Sequence, residues 1–364
     1  MSWIATRASR CGRECATDSD AVYTFALWAG AAVAALSVLL VLAIFVLRAA
    51  LVWRNRRQAR FLARWRPLLM ESLVVPPRNL PALRGGDVLD CLLLWNHLQG
   101  SVRGDARERL NGFARAAGLD RAARRLLTRH GSRRRLLAIV TLGQLGEQDV
   151  RPVLRRLAEA AHPVLSLTAA RALVQIDREA AVPMLMPAFA ARTDWPVNRV
   201  AAILREAGAD VISKPLLDVL AASNPEQGAR LLGFFELAHP PVVMPAVCAL
   251  LARRDTDDRL LGAALRALKD PQALPSVRAL TLHPRWHIRM EAAKALGRLG
   301  LPEDLPRLER LLADPQWWVR YRTAQAIARL PFVRRADLEV MRDRQPDRYA
   351  RDILAHVLAE PGRA

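Results

Sequence analysis

His283 and His287, in HPRWH, are four residues apart, the spacing that sets two imidazoles on one helix face as zinc ligands. No HExxH accompanies them, and His283 stands where Asp314 stands one repeat later, so the pair reads as part of a turn. Cys11 and Cys15 are also four apart. In an oxidising compartment they could pair or touch another chain, and otherwise they are two thiols of an unstructured tail. Asp87 and Asp90 could act as an acid/base pair, but acids at a helix start also favour the positive end of its dipole, which is the plainer reading. The chain has no GxxxxGKS/T loop, no GxGxxG after a strand, no GxSxG elbow and no CxxC pair. It therefore predicts no catalytic residue, no cofactor, no metal and no small-molecule substrate, and a protein that is not an enzyme.

The elements around these residues are more legible. With 364 residues, 52% of them hydrophobic and 25% charged, the chain can bury a sizeable core and lacks the composition of a disordered one. Four cysteines are too few for a disulfide-stapled scaffold. From Ala21 to Leu47 run 27 residues without a charge. As a helix they would be about 40 Å long, against about 30 Å of bilayer hydrocarbon. Tyr23 and Trp28 near one end and Trp53 beyond the other suit the interfaces. A cleaved signal peptide would have an apolar run of about 7 to 15 residues before small residues, and this one is longer and meets arginines. Arg48, Arg54, Arg56, Arg57, Arg60, Arg64 and Arg66 follow the span with no acid before Glu71, so that flank is predicted to stay cytoplasmic, with the N-terminus outside. Arg54 to Arg66 are also candidates for contact with anionic membrane lipid, with Trp53, Phe61, Leu62 and Trp65 resting at the interface.

The organisation predicted is a tail over 1–20, a transmembrane helix over 21–47, a basic juxtamembrane helix and Pro-rich linker over 48–86, a helical leader over 87–130, a solenoid over 131–331 and capping helices over 332–364. The linker reading rests on four prolines and Gly85-Gly86 between Pro67 and Gly86. In the leader, Leu89, Leu92, Leu93, Leu94 and Leu98, then Leu110 and Phe113, then Ala123, Leu126 and Leu127 recur at helical spacing. The strongest signal is a repeat. Pro152, Pro183, Pro215, Pro245, Pro275 and Pro306 stand 30 to 32 residues apart. An apolar residue follows each by two (Leu154, Leu185, Leu217, Val247, Val277, Leu308) and by five. Proline is suited to a first helical turn, where its absent N–H costs no bond. Turns at His162, Asp194, Asn224, Asp255, His283 and Asp314 then lead into alanine-rich helices such as LTAARALVQI and IRMEAAKALGRLG. A unit of two antiparallel helices in about 31 residues cannot bury its apolar faces alone, so units must stack. The fold predicted is all-α, a right-handed α-solenoid of about seven helix pairs preceded by one transmembrane helix and a small leader.

The run beginning at Ile288, IRMEAAKALGRLGLPEDLPRLERLLA, and LAIVTLGQLGEQDVRPVLRRLAEA from Leu137 to Ala160 resemble the bacterial HEAT-like repeat of the phycobilin-lyase type. That resemblance implies a curved scaffold binding a protein partner along its concave side. The layout of one span followed by short HEAT-like repeats is also similar to bacterial inner-membrane HEAT proteins, which implies service to an envelope polysaccharide glycosyltransferase. Two other classes compete: a lyase- or glycosylase-like enzyme on such repeats, and a membrane-tethered nucleic-acid binder.

Charge discriminates against the last of these. Of the net +20, residues 131–364 hold only 35 basic against 26 acidic groups. The residues three and four after each repeat proline, expected on the open side, are mixed: Arg155 and Arg156, Met186, Asp218, Cys248, Arg278, then Glu309 and Arg310. A phosphate backbone asks for a continuous positive track, whereas an apolar centre within a charged rim suits a protein partner. Met186, Val219 and Cys248 would equally serve to pack the next layer. Trp286 and Trp317, one repeat apart and beside Trp318, either cap the core or, if exposed, anchor a partner.

Overall fold

The protein is described from a computed structural model. It describes the backbone of residues 5–75, 80–83, 86–128 and 131–360, with side chains from residue 27 onward except those of 29, 32 and 33. Cys11, Cys15 and Tyr23 therefore have no described side chain. Among the described residues there are helices and no strands. The chain divides into two compact units, Met1–Leu119 and Asp120–Ala364.

In the first unit, α1 (Ala5–Glu71) runs on through Pro67, so the linker expected from Pro67 starts later. Apolar side chains from Leu27 to Val52 are exposed along it, and α1 is long and apolar enough to cross a membrane. Its far end differs. Phe61, Trp65 and Leu69, spaced by four, are buried against α2 (Val88–Gln99) and α3 (Asp105–Ala116). Trp65 meets Phe113 edge to face at 6.4 Å, and Trp95 Nε1 donates to the Leu110 carbonyl at 2.8 Å. Phe61 and Trp65 are thus core residues and not interface residues, because a packed helical leader claims their face. On α2 the buried residues are Cys91, Leu92, Trp95 and Gln99, and Leu93, expected inward, is exposed. Cys91 and Trp95 complete the stripe with Leu92 and leave Leu93 about 100° off it.

The leader expected over 87–130 splits, because α4 (Leu119–Thr128) lies almost wholly in the second unit. There Arg124 is held by Asp120, Glu147 and Asp149. Seven helix pairs follow: α5 (Ser132–Leu145) and α6 (Arg151–Ala158), α7 (Pro163–Ile176) and α8 (Arg178–Ala191), α9 (Val197–Ala207) and α10 (Ala209–Ala222), α11 (Pro225–Leu232) and α12 (Pro240–Ala252), α13 (Asp258–Ala267) and α14 (Leu274–Leu280), α15 (Trp286–Leu299) and α16 (Leu305–Leu311), and α17 (Trp317–Ile327) and α18 (Arg335–Arg344). α19 (Arg348–Ala359) closes the stack on α17 and α18. Odd-numbered helices pack on one another in one layer, α5 on α7 on α9 and α11 on α13 on α15 on α17, while α8, α10, α12 and α14 pack in turn in the other, with α11 lying against α8 and α10. The second unit is an α-solenoid.

The repeat prolines have two placements. In α6, α14 and α16 they occupy the first turn, each after a single 3₁₀ turn. In α8, α10 and α12 the helix starts one to two turns earlier, so Pro183, Pro215 and Pro245 lie inside it. Earlier caps explain part of this: the Asp177 side chain accepts from Ala180 N–H at 3.1 Å and caps α8, which starts five residues before Pro183. The position two after the proline is buried in five of six repeats, with Leu217 half-buried, but the position five after is mostly half-buried. Three residues are 300° of turn, which puts that second position on the edge of the stripe.

Small residues set the layer spacing. A Cβ on Gly143 would come within 2.7 Å of Ala172 Cβ, and one on Gly297 within 2.6 Å of Ala326 Cβ. Arginines bind the turns. Arg192 donates to the Ala158 and Ala160 carbonyls, Arg230 to those of Phe189 and Trp195, and Arg298 to that of Leu265. Arg289 reaches Asp314 at 2.7 and 2.9 Å and the carbonyls of His283 and Pro284. Helix ends leave carbonyls without partners, and these guanidinium groups supply donors across repeats. Arg192, Arg230, Arg289 and Arg298 are thus structural.

Candidate interaction surface

The residues expected on the open side lie on the even-numbered helices. Arg155, Arg156, Asp218 and Arg310 are exposed there and Glu309 is half-buried, Arg155 reaching Glu159 at 3.7 Å. Met186 is different: it is fully buried, with α11 as well as α7 and α10 packed on α8, so it is a core residue and not the partner contact expected. Cys248 and Val219 are half-buried. Arg278 is committed within the fold. Its guanidinium donates to Asp304 at 2.6 and 3.1 Å and to Glu303 at 3.0 Å, and Asp304 also accepts from Leu301 N–H at 3.0 Å. Burial alone would raise the Asp304 carboxyl, but the hydrogen bonds from Arg278 and Leu301 outweigh it and hold it below the usual carboxylate range.

The other layer carries the more distinct surface. Trp286 and Trp317 open α15 and α17 and are 37% and 46% exposed, with Trp318 at 49%, so they do not cap the core. The first buried residues of these helices, Ile288 and Val319, come two positions later, about 200° round the helix from each tryptophan. That offset was available in the sequence. Trp317 stacks on Tyr321 at 5.0 Å with an interplanar angle of 14° and meets Trp318 edge-on at 4.7 Å. Tyr321 donates to Glu360 at 2.8 Å, and Arg320 lies over Tyr349 at 5.4 Å. Exposed aromatic groups held rigid by their neighbours make good interface anchors.

Two grooves open on this layer. One, about 530 Å³, runs over α5, α7 and α9 and is lined by Val140, Val164, Leu167, Ile203 and Arg171, the last paired with Glu206 at 2.9 Å. The other, about 40 Å³, lies between α15 and α17.

His283 is a turn residue whose Nδ1 accepts from Arg285 N–H at 3.2 Å, while His287 is half-buried beside Trp286. Asp87 pairs with Arg57 at 3.2 Å, so Arg57 is engaged within its unit, while Arg54, Arg56, Arg60, Arg64 and Arg66 are exposed. Among the described residues, no group of three or more His, Cys, Asp and Glu could hold a metal ion.

A two-layer stack of helix pairs with an exposed aromatic face defines a repeat-built α-solenoid. The family described as HEAT repeats matches residues 126–204 and 214–328, more than half of the chain, and the chain belongs to that family. An engineered protein of known crystal structure is similar over 80% of this chain and 92% of its own, at 17% identity and a TM-score of 0.34. No curated protein matches the chain.

Proposed function

We propose that the protein is a membrane-anchored, non-catalytic scaffold whose HEAT-repeat unit, of the phycobilin-lyase type, holds a partner protein beside the bilayer. HEAT repeats generally mediate protein–protein interaction. The observation that carries the reading is α1, whose exposed apolar stretch continues without a break into residues buried in a folded unit. On this reading α1 crosses a bacterial inner membrane once, with the N-terminus periplasmic and the repeat unit cytoplasmic, as the arginines from Arg48 to Arg66 favour. The exposed arginines among them meet anionic lipid, and the partner is an envelope polysaccharide glycosyltransferase or another envelope-assembly enzyme. Trp286, Trp317 and Trp318 are its anchors, with Arg155, Arg156, Asp218, Glu309 and Arg310 on the opposite layer.

Affinity purification of the full chain from maltoside-solubilised membranes tests this. Recovery of a membrane-bound glycosyltransferase, lost when Trp317 and Trp318 are replaced by alanine, is expected. Recovery of no membrane or envelope protein would sink the reading.

A further inference from the structure

The groove between α15 and α17 occurs twice in the unit, because the stretch that forms it repeats at an offset of 154 residues. Gly297 and Ala326 make its floor as Gly143 and Ala172 do between α5 and α7, with nearly the same close approach. The walls differ. Where the first copy has Val140, Gln144, Thr168 and Gln175, the second has Lys294, Arg298, Arg322 and Arg329. Four neutral positions have become four cations on one backbone geometry, so stacking of the repeats does not require these charges.

Of the four, only Lys294 has an ion-pair partner among the described residues. Lys294 pairs with Glu291 at 2.9 Å, and Arg266 lies 3.6 Å from the same carboxylate, so that acid is already shared. Arg298 makes one bond, to the Leu265 carbonyl at 2.7 Å. Arg322 donates to the neutral Gln325 at 2.8 Å and lies over the Tyr321 ring. The Arg329 side chain has no hydrogen-bond or ion-pair partner among the described residues, its backbone N–H donating to the Ala326 carbonyl. Burial pushes the Arg298 guanidinium below its ordinary value, Glu291 opposes this and the neighbouring Arg329 adds to it. Converging cations of this kind gain when an anion enters between them.

The structure assigns a phosphate-binding site to the groove formed by Lys294, Arg298, Arg322 and Arg329. A carboxylate carries one charge and is saturated by a single forked guanidinium, whereas a phosphate monoester carries close to two and offers three oxygens to several. The 40 Å³ of free space holds roughly three water molecules, about the size of one such group. The phosphate could belong to a small soluble molecule or to a lipid headgroup. The site needs only the repeat unit and does not depend on the scaffold reading.

Calorimetry on the full chain in maltoside detergent tests it, titrating inorganic phosphate, sodium acetate at matched ionic strength, and short-chain phosphatidic acid against phosphatidylcholine of the same chain length. Saturable binding of inorganic phosphate or of phosphatidic acid, with none of acetate, is expected, and which of the two binds identifies the source. In Arg329→Gln, which breaks no internal bond, affinity should fall about tenfold. In the triple variant Arg298→Gln, Arg322→Thr, Arg329→Gln, built from residues the first groove already carries, binding should vanish while the melting profile stays cooperative. Acetate binding equal to phosphate, binding unchanged in both variants, or no response to either phosphate probe would overturn the assignment.

Discussion

Replacing Gly297 by alanine should weaken the protein, although alanine is the better helix former. A Cβ there would meet Ala326 Cβ at 2.6 Å, its Cα at 2.7 Å and its carbonyl oxygen at 3.0 Å. Unbonded carbons rest at about 3.5–4.0 Å, so α15 and α17 must separate by roughly 1 Å. None of the opposing atoms belongs to a flexible side-chain end, which places the overpacking cost in the upper part of a range of about 1–3 kcal/mol. Alanine recovers about 0.5–1 kcal/mol of backbone entropy, leaving a net loss of about 1–2 kcal/mol. Gly112, inside α3, has nothing within 4 Å of the equivalent point, so Gly112→Ala should instead stabilise by about 0.5–1 kcal/mol. Because stacked repeats can melt in segments, hydrogen exchange of α15 and α17 is the assay, with denaturant unfolding beside it. The reasoning fails if Gly297→Ala protects those amides as well as wild type does, or if both variants shift stability in the same direction.

Asp304→Asn should cost about 1–3 kcal/mol by weakening the Arg278 pair and the Leu301 cap. Since the native carboxyl is held low, its contribution is complete above the ordinary carboxylate pKa and fades as pH falls through the folded value; the variant should therefore show a flatter acid limb in pH-dependent melting. Trp65→Ala should cost about 3–5 kcal/mol in the first unit, read as faster amide exchange in α2 and α3; unchanged exchange there would refute its core role. Burial, helped by Asp87 and Asp90, pushes the Cys91 thiol up to about 12, so at pH 8 iodoacetamide should leave Cys91 unmodified until denaturant is added, as peptide mass spectrometry would show.

The helix-pair rhythm was legible because proline, turn acids and alanine each mark a local requirement, and local requirements repeat with the chain. Six of the seven pairs carry that mark, each with its own proline. What the sequence hid depended on partners distant along it. Pro183 looks like a helix start until Asp177 caps an earlier one, and Met186 looks open until α11 covers α8. Phe61 and Trp65 have the composition of an interfacial belt, and only the presence of α2 and α3 makes them core. Arg278 counted as surface charge, whereas Asp304, 26 residues on, claims it. The outward set of Trp286 and Trp317 was within reach, since their distance from Ile288 and Val319 gives it by helical arithmetic.

The unbroken run of α1 from its apolar stretch into Phe61, Trp65 and Leu69 makes a shaft about 100 Å long with its first load keyed to it. No swivel separates the two. One residue inserted between Val52 and Arg60 would swing the keyed side chains by about 100° around the axis, while four would return them to within about 40° of their bearing and lift them by about 6 Å. Height and heading of this unit above the apolar stretch are therefore set by counting residues, as teeth set the phase of a gear.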